Sequence, residues 1–287
     1  MLVNGRDCSI IVKTAHREID IPFSDETLRE AVSFLQEEPP IEGDGICRGI
    51  RKIDGVKGCV VTPLTIGTAP ILLYLAMGAV GSPIFISETK NLFKYKLNLA
   101  PLEDMEKFDL IQYRKNERWL FEYCLVFGFE LRIMRDETIK LKLDIVGELP
   151  KKEFPYIDDF VREQGERFKG DCVTYMINGK EYKNIYGVTL ISKKRGGTKT
   201  EIWIKRALQQ ETEIPTDIEE IVITAKLLRD KYEYRYYGTF KMTFKRLVLI
   251  GDETEVNTSE AVIGPLRFYV TGGVNTEVFT SGEEILP

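Results

Sequence analysis

Between residues 121 and 147, FEYCLVFGFELRIMRDETIKLKLDIVG, apolar and charged side chains alternate through two runs separated by a short charged turn. Successive side chains of a strand point to opposite faces, so this pattern predicts a β-hairpin. Ile139, Leu141, Leu143 and Ile145 then share a dry face, and Lys140, Lys142 and Asp144 stand on a wet one. A second unit of the same kind runs from Tyr182 to Leu208, with Arg195, Gly196 and Gly197 supplying the turn. Strands are also predicted over Glu18 to Phe23, Val56 to Leu64, Leu92 to Leu99, Glu219 to Leu228, Tyr232 to Ile250 and Ala261 to Phe279. One short buried helix is expected at Thr68 to Met77, TAPILLYLAM, with Thr68 as N-cap, Pro70 in the first turn and Gly78 as its stop.

These elements describe a mainly β chain: a β-sandwich or barrel with a short flanking helix, followed by a second β-rich domain. Its 287 residues suffice for two modest cores. We place the first domain at residues 1–149, a proline- and charge-rich linker at 150–170, and the second domain at 171–287. Within the first domain, residues 36–58, QEEPPIEGDGICRGIRKIDGVKG, are crowded with Gly, Pro and charge and read as a long loop. Loops of that length belong to functional or binding-ordered segments more often than to inert ones.

Charge narrows the function classes. Residues 1–149 carry 19 Lys and Arg against 23 Asp and Glu, and the remainder 21 against 22. Neither half is basic, and the densest cationic cluster, Lys193-Lys194-Arg195, falls in a turn, so a dedicated nucleic-acid binder is not expected. The opening MLVNGRDCSIIVKT carries no signal-peptide pattern, and the apolar run from Ile66 to Val80 is broken by Gly67, Pro70 and Gly78. No membrane span is expected. The five cysteines, Cys8, Cys47, Cys59, Cys124 and Cys172, are dispersed and odd in number, which points to reduced thiols.

Reactive chemistry is sparse. His16 is the single histidine, so no His-based metal centre can form, and the cysteines lack zinc-ligand spacing. A Cys8–His16 pair lacks an orienting group. Asp158-Asp159 and Glu219-Glu220 are solvated pairs at element ends unless further oxygens converge on them. Gly43, Gly45 and Gly49 lack phosphate-loop spacing. We therefore expect no catalytic, metal or cofactor-binding residues and no enzyme activity. The aromatic run Tyr232 to Phe240 puts Tyr232, Tyr234 and Tyr236 on one strand face, where they stack a sugar or base, or form a packing ladder.

The order of these pieces resembles a known family. The segment Pro22 to Leu28, the long charged loop, the returning strand, PLTIGTAPILLYLAMGAVG and the hairpin from Glu122 to Glu148 are together similar to the tail tube (major tail) proteins of long-tailed bacteriophages and phage-derived particles. The resemblance covers mainly residues 18–149. It implies a virion structural protein, made in the bacterial host cytoplasm, that self-assembles into stacked rings forming a channel for DNA. Rings would be hexameric, or trimeric and pseudo-hexameric if both halves are tube-like. The implied partners are other copies of the chain, the tape measure, tail terminator and tail tip proteins, and DNA in passage. The loop at 36–58 would be the assembly arm, and an acidic chain would offer DNA a weakly interacting wall. The competing reading is a non-catalytic ligand- or carbohydrate-binding β-sandwich of a tail tip or baseplate, using the tyrosine face.

Overall fold

The computed structural model describes residues 8–14, 18–36, 49–81, 84–87, 92–114, 117–153, 165–194, 196–207, 214–228, 237–252, 256–257 and 262–281. The chain opens with β1 (Cys8–Lys13), β2 (Glu18–Ile21), β3 (Asp25–Glu26), β4 (Arg29–Gln36) and β5 (Gly49–Pro63). Helix α1 (Ala69–Met77) leads into β6 (Gly78–Val80), β7 (Ile84–Ser87) and β8 (Leu92–Leu99). Next come β9 (Phe108–Arg114), β10 (Glu117–Met134), β11 (Lys140–Gly147) and β12 (Lys151–Glu153). The second half holds β13 (Val173–Ile177), β14 (Lys180–Glu181), β15 (Ile185–Lys193), β16 (Lys199–Ala207) and β17 (Asp217–Leu228). It closes with β18 (Tyr237–Asp252), β19 (Val256–Asn257), β20 (Val262–Val270) and β21 (Val274–Ser281). The protein is mainly β, as the alternation predicts.

All described ladders are antiparallel. Followed through their registers they run from β4 to β5, β11, β10, β15, β16, β20 and β18. Strand β18 carries β17 on its other side, and β17 carries β13. The N-terminal half of β18 pairs with β21, which pairs with β8. The N-terminal half of β10 belongs to a smaller sheet with β9, β1, β2 and β12.

Two long strands thus change partners midway, and each does so beside a residue in the left-handed region. Tyr123 (φ 51°) lies where β10 leaves β9 for β11, and its N–H donates to Asp109 Oδ1 at 3.1 Å. Arg246 (φ 51°) lies where β18 leaves β21 for β20, and its carbonyl accepts from the N–H and hydroxyl of Thr271 at 2.9 and 2.7 Å. A side chain in that conformation costs about 1–2 kcal/mol. The hydrogen bonds around each switch offset part of that cost.

The helix is apolar on every side, and all nine residues are buried, as a helix without a polar face must be. It packs on β8, β10 and β21, on the dry side of the sheet. Thr68 precedes it but makes no side-chain cap; its hydroxyl instead meets that of Thr65 at 2.8 Å. Gly78 ends it as expected, at φ 97°, with its N–H on the Tyr74 carbonyl. The left-handed backbone there demands glycine, and a Cβ would also lie 2.0 Å from Met105 Sδ and displace that side chain.

The hairpin expectations hold. Leu141, Leu143 and Ile145 are almost wholly buried, while Lys140, Lys142 and Asp144 keep partial access to solvent. Two other expectations change. Residues 49–58, read as loop, are strand β5 paired with β4, and residues 37–48 lie outside the described set. Backbone hydrogen bonds hold residues 49–58 in this hairpin, and their charge- and glycine-rich composition gives little hydrophobic signal. Within the expected linker, β12 pairs with β10, and Phe168 is 1% exposed, its ring edge against Phe240 at 5.2 Å. The Phe168 N–H donates to the Leu64 carbonyl, and the Ile139 N–H to the Phe168 carbonyl, both at 2.9 Å. This part of the segment is core, and its companions at 154–164 lie outside the described residues.

Candidate functional site

Direct partners in an antiparallel register share a face, so the wet side of the central sheet can be followed strand by strand. One transverse row reads Val61, Lys142, Glu130, Ile191, Glu201 and Tyr269. The next reads Pro63, Lys140, Arg132, Thr189, Trp203 and Arg267. A third brings together Cys59, Asp144, Gly128, Lys193 and Lys199. On the opposite side Val60, Leu143, Phe129, Leu190 and Ile202 are buried in one core with α1. Fully burying such a side chain stabilises by about 1.5–3 kcal/mol, which holds the register.

Charge on the wet face departs from that of the chain. Across β5, β11, β10, β15, β16 and β20 its cations are Lys57, Lys140, Lys142, Arg132, Lys193, Lys199, Lys205 and Arg267. Its carboxylates on those strands are Asp144, Glu130 and Glu201. The whole chain carries a net charge of −5, so the balance of charge on this face is the reverse of the chain's. Some of the charge is locally paired. Lys142 lies 3.7 Å from Asp144, and Arg132 meets Glu137 of the adjacent turn at 3.1 Å. Arg267 covers the Trp203 ring at 4.3 Å, and Trp203 Nε1 donates to Glu201 Oε2 at 3.0 Å. Lys193 and Lys199, both exposed, stand directly opposite one another.

The sheet continues through the middle of the sequence. Strand β10 pairs with β15 from Gly128 to Met134, and β8 pairs with β21 over seven registered positions, where Lys94 bridges to Glu277 at 2.5 Å. Inside this joint lies Lys194, 2% exposed, immediately after β15. Its Nζ donates to the carbonyl of Met77, the last residue of α1, at 3.1 Å and lies 2.6 Å from Met105 Sδ. Burial pulls its pKa down to about 7. Lys194, which directly precedes the predicted turn, caps a helix of the other half, a role no linear pattern announces.

At the far side of the sheet, β4 is paired with β5 alone among the described residues. Its remaining edge is a row of backbone donors and acceptors of the kind that recruits another strand.

The remaining sequence candidates are scattered. His16, Cys47, Gly43, Gly45, Asp158, Asp159, Tyr232, Tyr234 and Tyr236 lie outside the described residues, and of Cys8 only the backbone, in β1, is described. Gly49 begins β5. Glu219 and Glu220 sit in β17, where their N–H groups donate to Asn178 Oδ1 at 2.9 and 3.1 Å. Cys59 is partly exposed, Cys172 is exposed, and Cys124 is buried, which pushes its thiol up to about 12. Among the described residues no group of three or more His, Cys, Asp and Glu side chains converges, and no helix is long and apolar enough to cross a membrane. Neither a protein-family model nor a curated protein matches the chain.

Proposed function

We propose that this chain is a structural subunit of a phage-like tail tube, a virion component that assembles with copies of itself into stacked rings around a channel. One observation carries the reading: a continuous antiparallel sheet, wet on one face and packed on the other, that ends in a strand for which, among the described residues, β5 is the one paired strand. Such an edge is a liability in a lone subunit and becomes an interface when a neighbouring copy adds its own strand. The wet face would then line the bore, and the core with α1 would form the wall. The β4–β5 hairpin would be the arm that reaches the next ring, and two sheet-building halves per chain would make the rings trimeric and pseudo-hexameric. The tape measure, terminator and tip proteins of the tail would be its other partners.

Negative-stain electron microscopy at high protein concentration, with mass in solution, tests the reading. Rings or hollow filaments of uniform bore are expected, and removal of residues 37–48 should leave subunits that no longer stack. Compact monomers at every concentration, with and without preformed tail tips as seeds, would overturn it.

A further inference from the structure

We propose that the wet face of the sheet binds the phosphate backbone of duplex DNA without regard to sequence. The proposal rests on the tube reading for where the duplex would run, and on the geometry of the face for the binding itself. Eight cations against three carboxylates are distributed over six adjacent strands. At about 4.8 Å between strands these span roughly 24 Å, wider than a major groove of ~12 Å plus a minor groove of ~6 Å. The cations can therefore meet phosphates on both rims of a groove at once. Each neutralised phosphate releases condensed counterions, so many weak contacts add to measurable affinity at low salt.

The same face lacks what other occupants need. Apart from the directly paired Leu125 and Val146, its apolar side chains, Val61 and Ile191 among them, stand beside charged positions, so a polypeptide would find few desolvated anchors. Trp203 is covered by Arg267 and held by Glu201, which removes its ring from base stacking. Contacts to phosphate fix position and carry no sequence information, as a sliding polymer requires. Asp144, Glu130 and Glu201, set among the cations, lower the net attraction and keep the contact reversible. The inference is thus of a weak, salt-sensitive surface, not of a dedicated DNA-binding domain.

Fluorescence anisotropy with a random-sequence duplex, on subunits below the concentration at which they assemble, is the test. Binding should weaken linearly in log–log form with salt. Lys193 and Lys199 are the positions to neutralise, because two like charges directly opposite destabilise a sheet and K193Q/K199Q should fold at least as well as the parent. That variant should lower the salt slope by about 2. A control pair on other strands, K96Q/K226Q, should leave the slope unchanged. Absence of binding at low salt would overturn the proposal, as would an equal loss in the control pair. Equal displacement by poly-glutamate of matched charge would also overturn it, because the face would then recognise acidic polypeptide as readily as phosphate. Filaments are scored separately by microscopy, so failure to bind DNA and failure to assemble are distinct results.

Discussion

Replacing Lys194 by methionine should stabilise the protein, and by an amount that depends on pH. The side chain is 2% exposed, and burial lowers its pKa from 10.5 to about 7. Between those values the unfolded chain binds a proton that the folded chain does not, so the lysine's contribution to stability rises with pH across this window. Below about 7 both states are protonated and the full penalty of a buried ammonium applies. At ~1.4 kcal/mol for each tenfold, the gap amounts to about 5 kcal/mol. At pH 9 the linkage leaves about 2 kcal/mol of it. Methionine matches the unbranched shape, and loss of the bond to the Met77 carbonyl returns ~1 kcal/mol, a small sum because that carbonyl keeps the Ala100 N–H at 2.7 Å. K194M should therefore exceed the parent by about 4 kcal/mol at pH 6 and about 1 kcal/mol at pH 9. Urea unfolding at the two pH values, with unchanged slopes, measures both differences. A difference that does not move with pH, or a variant weaker than the parent at pH 6, would refute the reasoning.

Phe168→Ala should cost about 3–5 kcal/mol, because the ring is fully buried against Phe240; denaturant unfolding checks this, and a loss below ~1 kcal/mol would restore the segment to a solvated linker. Tyr175→Phe should raise stability by about 1 kcal/mol in the same assay, since the Tyr175 hydroxyl is buried with no hydrogen-bond partner among the described residues, and burial already holds its pKa above the usual phenol value.

The local elements were legible because their signals are local. Alternation at Ile139 to Ile145 and the turn at Arg195 to Gly197 settle which side chains must be dry before any long-range contact is known. The helix was legible for a similar reason: a left-handed stop at Gly78 and an unbroken apolar run are readable in ten residues. Residues 49–55, the first half of β5, were not, because backbone bonding to β4 sustains a strand whose sequence, GIRKIDG, carries no hydrophobic period. Phe168 was hidden for the opposite reason, being one apolar residue in a charged stretch whose burial depends on Leu64, Ile139 and Phe240, distant in sequence.

The candidate site shows the same division. Sequence alone determined that the chain would build wet-faced strands, and which residues of each strand would share a face, because a period of two is intrinsic to the extended backbone. Only the tertiary structure decided which strands lie side by side. It set Lys142 beside Glu130, Lys193 opposite Lys199 and Arg267 over Trp203, and so gathered a cationic face from an acidic chain. It also turned Lys194 inward onto α1 and switched β10 and β18 between partners at Tyr123 and Arg246. The physical reason is that register and partner choice are settled by burial summed over residues far apart in the chain, and net composition averages over the faces that this pairing separates.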